Sequence, residues 1–236
     1  MPKPQPKPRD RNRILASLPS SSYGRLLSKM EVVPFPRRQS LQEPYKPVSH
    51  VYFPRNGVAS IVTRMAEGGT IEVATIGNEG LVGLSAYFGD GRFPMEIFVQ
   101  IPGEAVRMEA DTFRQEVRAD EAFAKVIRRY TQALLVQIGQ SFACNRVHPI
   151  DERCARWLLM SHDRVLGEEV DLTQEFLAEM LGVRRAGVTQ AAGILRRRKL
   201  IDYRRGKIRV VDRKGLEKAA CECYGFIRSE HDRQLG

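Results

Sequence analysis

The stretch Val170–Ile201, VDLTQEFLAEMLGVRRAGVTQAAGILRRRKLI, decides how the rest of the chain is read. Thr173 is placed to cap a helix, because its hydroxyl can accept a backbone N–H from the first turn. Phe176, Leu177, Ala178 and Leu181 follow on one face, and Gly182 stands where a left-handed residue ends a helix. A tight turn through Val183 leads into a second helix, whose buried face is expected to be Val188, Ala191, Ala192 and Leu195. Small Ala178 lets the two helices cross closely. This spacing is that of a helix-turn-helix, in which the second helix enters the major groove and reads base edges with its N-terminal residues.

The side chains left facing outward at the start of that helix are Arg184, Arg185, Ala186, Thr189 and Gln190. Arg can bridge guanine O6 and N7, and Gln can pair with adenine N6 and N7. Behind them lie Arg196, Arg197, Arg198 and Lys199, and then a basic ribbon carrying Arg204, Arg205, Lys207 and Arg209, suited to phosphates. From Arg184 to Lys214 twelve Lys and Arg face only Asp202 and Asp212, so this segment carries the whole formal excess of +10. A concentrated cationic patch suits a polyanion, since each neutralised phosphate releases condensed counterions.

Outward from this motif the texture changes. Short β-type runs fill 32–108: VYF at 51–53, VASIVT at 58–63, TIEVATI at 70–76, EIFVQI at 96–101 and AVRM at 105–108. Glycine turns between them indicate an antiparallel sandwich or barrel. Phe123, Ile127, Tyr130, Leu134 and Ile138 then recur at helical spacing. Such a helix either lies back on the barrel or pairs with a second copy of itself. Pro149 interrupts it, and Asp151 is expected to cap the next helix. The opening MPKPQPKPRDR has no apolar core and reads as a disordered tail. No run of apolar residues is long enough to span a membrane, so the chain is expected to be cytoplasmic. Four scattered histidines and the lack of a Gly-rich phosphate loop with a following Lys leave no enzymatic constellation.

At this point the chain resembles the Crp/Fnr family of transcription regulators along nearly all its length. Leu172–Ile201 and the following ribbon look like that family's winged helix-turn-helix. Gly77-Asn-Glu-Gly-Leu-Val-Gly83 looks like the glycine turn before the ligand pocket of its cyclic-nucleotide-binding-type β-roll. The expected fold is therefore α+β. A tail covers 1–12, and an antiparallel, jelly-roll-like β-roll sensor covers 13–118. A dimerisation helix and hinge cover 119–147, and the winged helix-turn-helix covers 148–236. The resemblance implies a homodimer binding double-stranded DNA, with RNA polymerase as a further partner. It assigns the dimer interface to Phe123, Ile127, Tyr130, Leu134 and Ile138, and the DNA contacts to Thr173, Arg184, Arg185, Ala186, Thr189, Gln190, Arg204, Arg205 and Lys207. Arg185 matches the family's base-reading arginine. Ala186 stands where an acidic residue is common and cannot accept from cytosine N4, while Gln190 replaces a second arginine.

The same resemblance places an effector pocket around Gly80, Gly83, Leu84, Ser85, Arg92 and Phe93. Members that bind cyclic AMP carry a glutamate just after the glycine turn and an Arg-Ser pair beginning the next strand. Here Leu84 and Phe93-Pro94 occupy those places. A buried phosphodiester without a cation would be heavily penalised, so no cyclic-AMP dependence is expected, and no cofactor is assigned. No cysteine precedes Cys144, which removes the iron–sulfur cluster of some relatives. An alternative function is a redox- or metal-responsive sensor in which Cys221 and Cys223 act with Cys144, Cys154 or His231. Cys-x-Cys departs from common zinc spacing, so no metal site is expected and the thiols read as buried or idle. Trp157 reads as core and His148 as a polar linker residue.

Overall fold

The computed structural model describes the chain outside residues 1–9, 67–68, 168 and 205. Two short helices, α1 (Arg13–Ala16) and α2 (Ser20–Leu27), open it. Strands β1 (Glu31–Phe35), β2 (Ser40–Gln42), β3 (His50–Arg64), β4 (Thr70–Ile76) and β5 (Glu96–Glu109) follow. They form one antiparallel sheet in the order β1-β5-β3-β4, with β2 also on β5. Runs separated in the sequence by Pro54 and Gly57, and by Pro102 and Gly103, are continuous: β3 has 15 residues and β5 has 14. The breakers produce register shifts between Pro54 and Ala59 instead of turns. Gly57 adopts φ +84°, and a Cβ there would lie 2.7 Å from the Ile101 carbonyl oxygen. A bulge bends the strand and lets the sheet curl without ending it.

Residues 10–12, expected to belong to a disordered tail, are held in the fold. Asn12 is fully buried, caps α1 and donates its amide to the Pro54 and Gly80 carbonyls at 3.0 and 2.8 Å. Asp10 is buried against Arg55, 2.9 Å away. These partners draw 10–12 into the roll; residues 1–9 lie outside the described chain.

Helix α3 (Ala110–Ala119) leads to α4 (Glu121–Val147), whose 27 residues are capped by Asp120 at 2.9 Å to the Ala122 N–H. The stripe Phe123, Ile127, Tyr130 and Leu134 is buried against the β-roll core. Tyr130 donates to the Leu81 carbonyl at 3.3 Å, and Gln137 to the Thr75 carbonyl at 2.8 Å. Phe123, Ile127 and Tyr130 are at most 1% exposed, so they serve the chain's own core. This corrects their assignment to a dimer interface: the helix does lie back on the barrel. An adjoining face carries exposed Leu135 (64%) and Phe142 (79%), with Gly139 between them.

Helix α5 (Ile150–His162) has Pro149 at its cap position, two residues ahead of the expected Asp151 cap. Then come β6 (Glu169–Asp171), α6 (Gln174–Leu181), α7 (Arg185–Arg197), β7 (Ile201–Arg204), β8 (Lys207–Val210), α8 (Arg213–Ala219) and α9 (Cys223–Leu235). The three strands form a second sheet, β6-β8-β7. This half packs on the roll, since Val58, Val62 and Ile101 share a core with Trp157, Leu158 and Leu177. Two polar ties cross the junction. Arg164 reaches buried Glu79 at 2.8 Å and also bonds Thr75, and the Trp157 indole donates to Glu72 at 2.9 Å. Burial is the largest single influence on Glu79 and raises it, but the Arg164 charge, His231 and the Gly77 N–H together outweigh burial and hold the carboxyl below its ordinary value. Among the described residues no helix is long and apolar enough to cross a membrane.

Candidate nucleic-acid interface and sensor pocket

The sequence places α6 and α7 by their ends. Thr173 accepts from the Phe176 N–H at 3.1 Å, and Gly182 closes α6 in the left-handed region at φ +63°. Val188, Ala191, Ala192 and Leu195 are buried, which fixes the opposite face of α7 outward. That face holds Arg184, Arg185, Ala186, Thr189 and Gln190, all exposed. The Thr189 hydroxyl lies 2.9 Å from Gln174 Oε1 and 3.0 Å from the Arg185 carbonyl oxygen, so it also braces α7 against the start of α6. The wing is the β7–β8 hairpin, turning at Gly206 with φ +81°. Arg204 is exposed and pairs with Asp202 at 3.0 Å; Lys207 is exposed 3.8 Å from Glu169. Arg205, also expected at the DNA, lies outside the described residues. The wing turn sits beside the start of α6, with the Leu172 N–H donating to the Gly206 carbonyl at 2.7 Å.

The second site is a cavity of about 370 Å³ between the roll and α4. Of the residues named from sequence, Gly83, Leu84, Ser85, Arg92 and Phe93 line it. Gly80 does not. A Cβ there would lie 2.6 Å from the Tyr130 hydroxyl, and one at Gly77 would lie 2.3 Å from Arg164 Cδ. The first two glycines of the turn therefore serve close approach of Arg164 and α4, and of its three glycines only Gly83 reaches the pocket. Arg92 sits at the rim, donating to the Tyr45 carbonyl at 3.0 Å and pairing with Asp90 at 3.2 Å. The interior is apolar: Ile61, Ile76, Leu81, Met95, Leu134 and Ile138. Its polar feature is Gln42, whose amide donates to Ser85 Oγ at 2.8 Å while its buried Oε1 accepts nothing.

A third grouping was not legible as one site. Cys144, His148, Cys221 and Cys223 bring their ligand atoms within 4.8 Å of one another. Of the partners expected for Cys221 and Cys223, Cys144 is there. Cys154 sits in the helical core with its thiol pushed up to about 12 by burial, and His231 bonds Gln137 at 3.1 Å. Cys144 has the opposite bias. The hydrogen bond with Cys221, then the Arg156 charge and His148, bring it down to about 5 despite burial. The helical spacing Cys144-x3-His148 is the sequence signal that could have found the histidine.

Comparison with known proteins agrees with this architecture. Residues 32–120 match the model of the cyclic nucleotide-binding domain, and residues 152–219 match that of the Crp-like helix-turn-helix domain. Together they define a regulator with a sensor-type β-roll joined to a DNA-binding domain. The chain belongs to the Crp/Fnr family of DNA-binding transcription regulators, not to an enzyme family. No curated protein matches it. Among solved structures, FixK2 from Bradyrhizobium japonicum is similar at 15% identity and a TM-score of 0.68, over 81% of this chain and 98% of that one. A CRP-family transcriptional regulator from Thermus thermophilus shares 21% identity at a TM-score of 0.65, over 80% and 96%. The c-di-GMP-responsive regulator CLP from Xanthomonas campestris gives 16% and 0.58, over 81% and 99%. At these identities the likeness is one of fold.

Proposed function

We propose that the chain acts as a homodimer on a pseudo-palindromic duplex, reading bases with Arg185 and Gln190 at the start of α7, while Arg184 approaches the backbone. The observation that carries this reading is the division of α7 into a buried apolar face and an exposed, cationic N-terminal face. Two copies joined along α4 place their recognition helices roughly 34 Å apart, one turn of the double helix. The contact face is Leu135, Gly139 and Phe142, because exposed large apolar groups on a helix need a partner and the inward stripe already has one. Thr173, Arg204 and Lys207 contact the backbone, and RNA polymerase is the further partner of the bound dimer.

The effector is an uncharged, largely apolar small molecule with one hydrogen-bond donor. The cavity volume, its apolar wall and the unfilled Gln42 acceptor support this over a cyclic nucleotide, whose phosphate would meet Leu84 and Phe93. Because Thr131, Leu134, Leu135 and Ile138 line the same cavity, a ligand there presses on α4 and shifts the dimer between helix spacings. Selection of bound duplexes from a random pool, with and without cyclic AMP, tests the reading. A two-fold symmetric site recovered without nucleotide supports it; binding that appears only with cyclic AMP contradicts the pocket assignment.

A further inference from the structure

The group at the end of α4 joins two remote pairs. Cys144 lies in the last helical turn, and His148 follows it as the C-cap, its N–H bonded to the Cys144 carbonyl at 3.1 Å. Cys221 and Cys223 flank the start of α9, which runs back along α4. Cys144 Sγ and Cys221 Sγ are 3.5 Å apart, and Cys223 Sγ is 3.6 Å from His148 Nδ1. Tetrahedral zinc, with Zn–S near 2.3 Å and Zn–N near 2.0–2.1 Å, puts two sulfurs about 3.8 Å apart and a sulfur and a nitrogen about 3.6 Å apart. The group fits around one ion and is too tight to span a multi-iron cluster.

Three neighbours suit such an ion. His148 turns its other nitrogen to Glu222, Nε2 to Oε2 at 3.0 Å, the carboxylate support that fixes the tautomer of a metal-bound imidazole. The Gln140 amide donates to Cys223 Sγ at 3.0 Å. Arg153 and Arg156 are buried to 8% and 5% exposure, and each leaves Nε unbonded. Arg153 Nη2 donates to the Leu181 carbonyl and Arg156 Nη1 to the Met160 sulfur, neither of them an anion, and Arg156 shares a cavity wall with Glu72. Buried cations need a nearby anion. Three thiolates and a neutral imidazole around a divalent ion carry one negative charge, the sign that two buried cations call for.

We propose that Cys144, His148, Cys221 and Cys223 form a closed Cys3His site for a divalent zinc ion, clamping the start of α9 to the end of α4. On binding, the ion replaces the thiol protons, which leave to solvent. With four protein ligands the site has no open position, so its role is structural. It stands independently of what the β-roll binds. Its position at the junction of the two domains makes it a determinant of how the DNA-binding domain is held.

Zinc content of the reduced, full-length protein after zinc loading and dialysis, together with replacement by Co(II), tests the site. The expected result is one zinc per chain and, with cobalt, thiolate charge-transfer absorption and intense tetrahedral d–d bands. Cys221→Ser and Cys223→Ser should abolish or shift those bands, while Cys154→Ser should leave them unchanged. Glu222 is exposed, so Glu222→Gln should fold and weaken zinc, in competition with a chelator, by roughly 10–100-fold. Folded, reduced protein without stoichiometric zinc would overturn the proposal. So would cobalt bands that survive in Cys221→Ser, or zinc affinity unchanged in Glu222→Gln.

Discussion

Helices α4 and α7 are both amphipathic, and both bury an apolar stripe in their own domain, yet their open faces differ in kind. On α7 the open face is Arg184, Arg185, Thr189 and Gln190, chemistry that suits phosphates and base edges. On α4 it is Leu135, Gly139 and Phe142, chemistry that suits another apolar surface. The buried stripe reveals the core; the function of a surface helix lies in what the stripe leaves out.

The largest effect should come from breaking the α4 face. Leu135→Asp with Phe142→Asp should give a folded monomer by sedimentation and lower specific DNA affinity by at least about 10³-fold, toward non-specific binding. Both positions are exposed, so the monomer keeps its fold, and a persistent dimer would place the interface elsewhere. On α7, Arg185→Ala should cost about 1–3 kcal/mol at a single base position; unchanged base preference would remove it from the readers.

Smaller effects sharpen the contrast between reading and holding. Glu72, under the Trp157 indole, is raised to about 7, with burial dominating over the bonds from Ser60 and Trp157. The folded state thus favours its protonated form. Its contribution is complete below the ordinary value of 4.5 and is lost as pH rises through about 7. Melting temperature should therefore fall across that window relative to Glu72→Gln, and parallel curves would show that the carboxyl does not titrate there. Smallest, Arg204→Ala should weaken all sequences alike and reduce the salt slope by about 1, less to the extent that Asp202 already neutralises it.

Legibility followed locality. The helix-turn-helix depends on caps and spacings within a few residues, so Thr173, Gly182 and the face of α7 could be read directly. The 3.6-residue period also marked Phe123, Ile127 and Tyr130 as buried. It could not say against what, and the resemblance assigned them to a second chain where the roll in fact holds them. Gly57 and Gly103 looked like strand ends because a bulge and a turn use the same residue type. At the pocket, Leu84 and Phe93 were legible as departures from a pattern, but Gln42, from a distant strand, was not. The thiol group consists of two local pairs more than seventy residues apart, and only the return of α9 along α4 unites them.

In the proposed dimer, two copies of α7, held by the open face of α4, read a symmetric site. Selection of duplexes from a random pool, at two salt concentrations and without added nucleotide, tests it most directly. Such a dimer should select two inverted half-sites with centres about 10–10.5 base pairs apart, enriched at both salts and lost in the Leu135→Asp, Phe142→Asp protein. Salt-sensitive retention of duplexes with no enriched sequence, or an enriched site without two-fold symmetry, would contradict it.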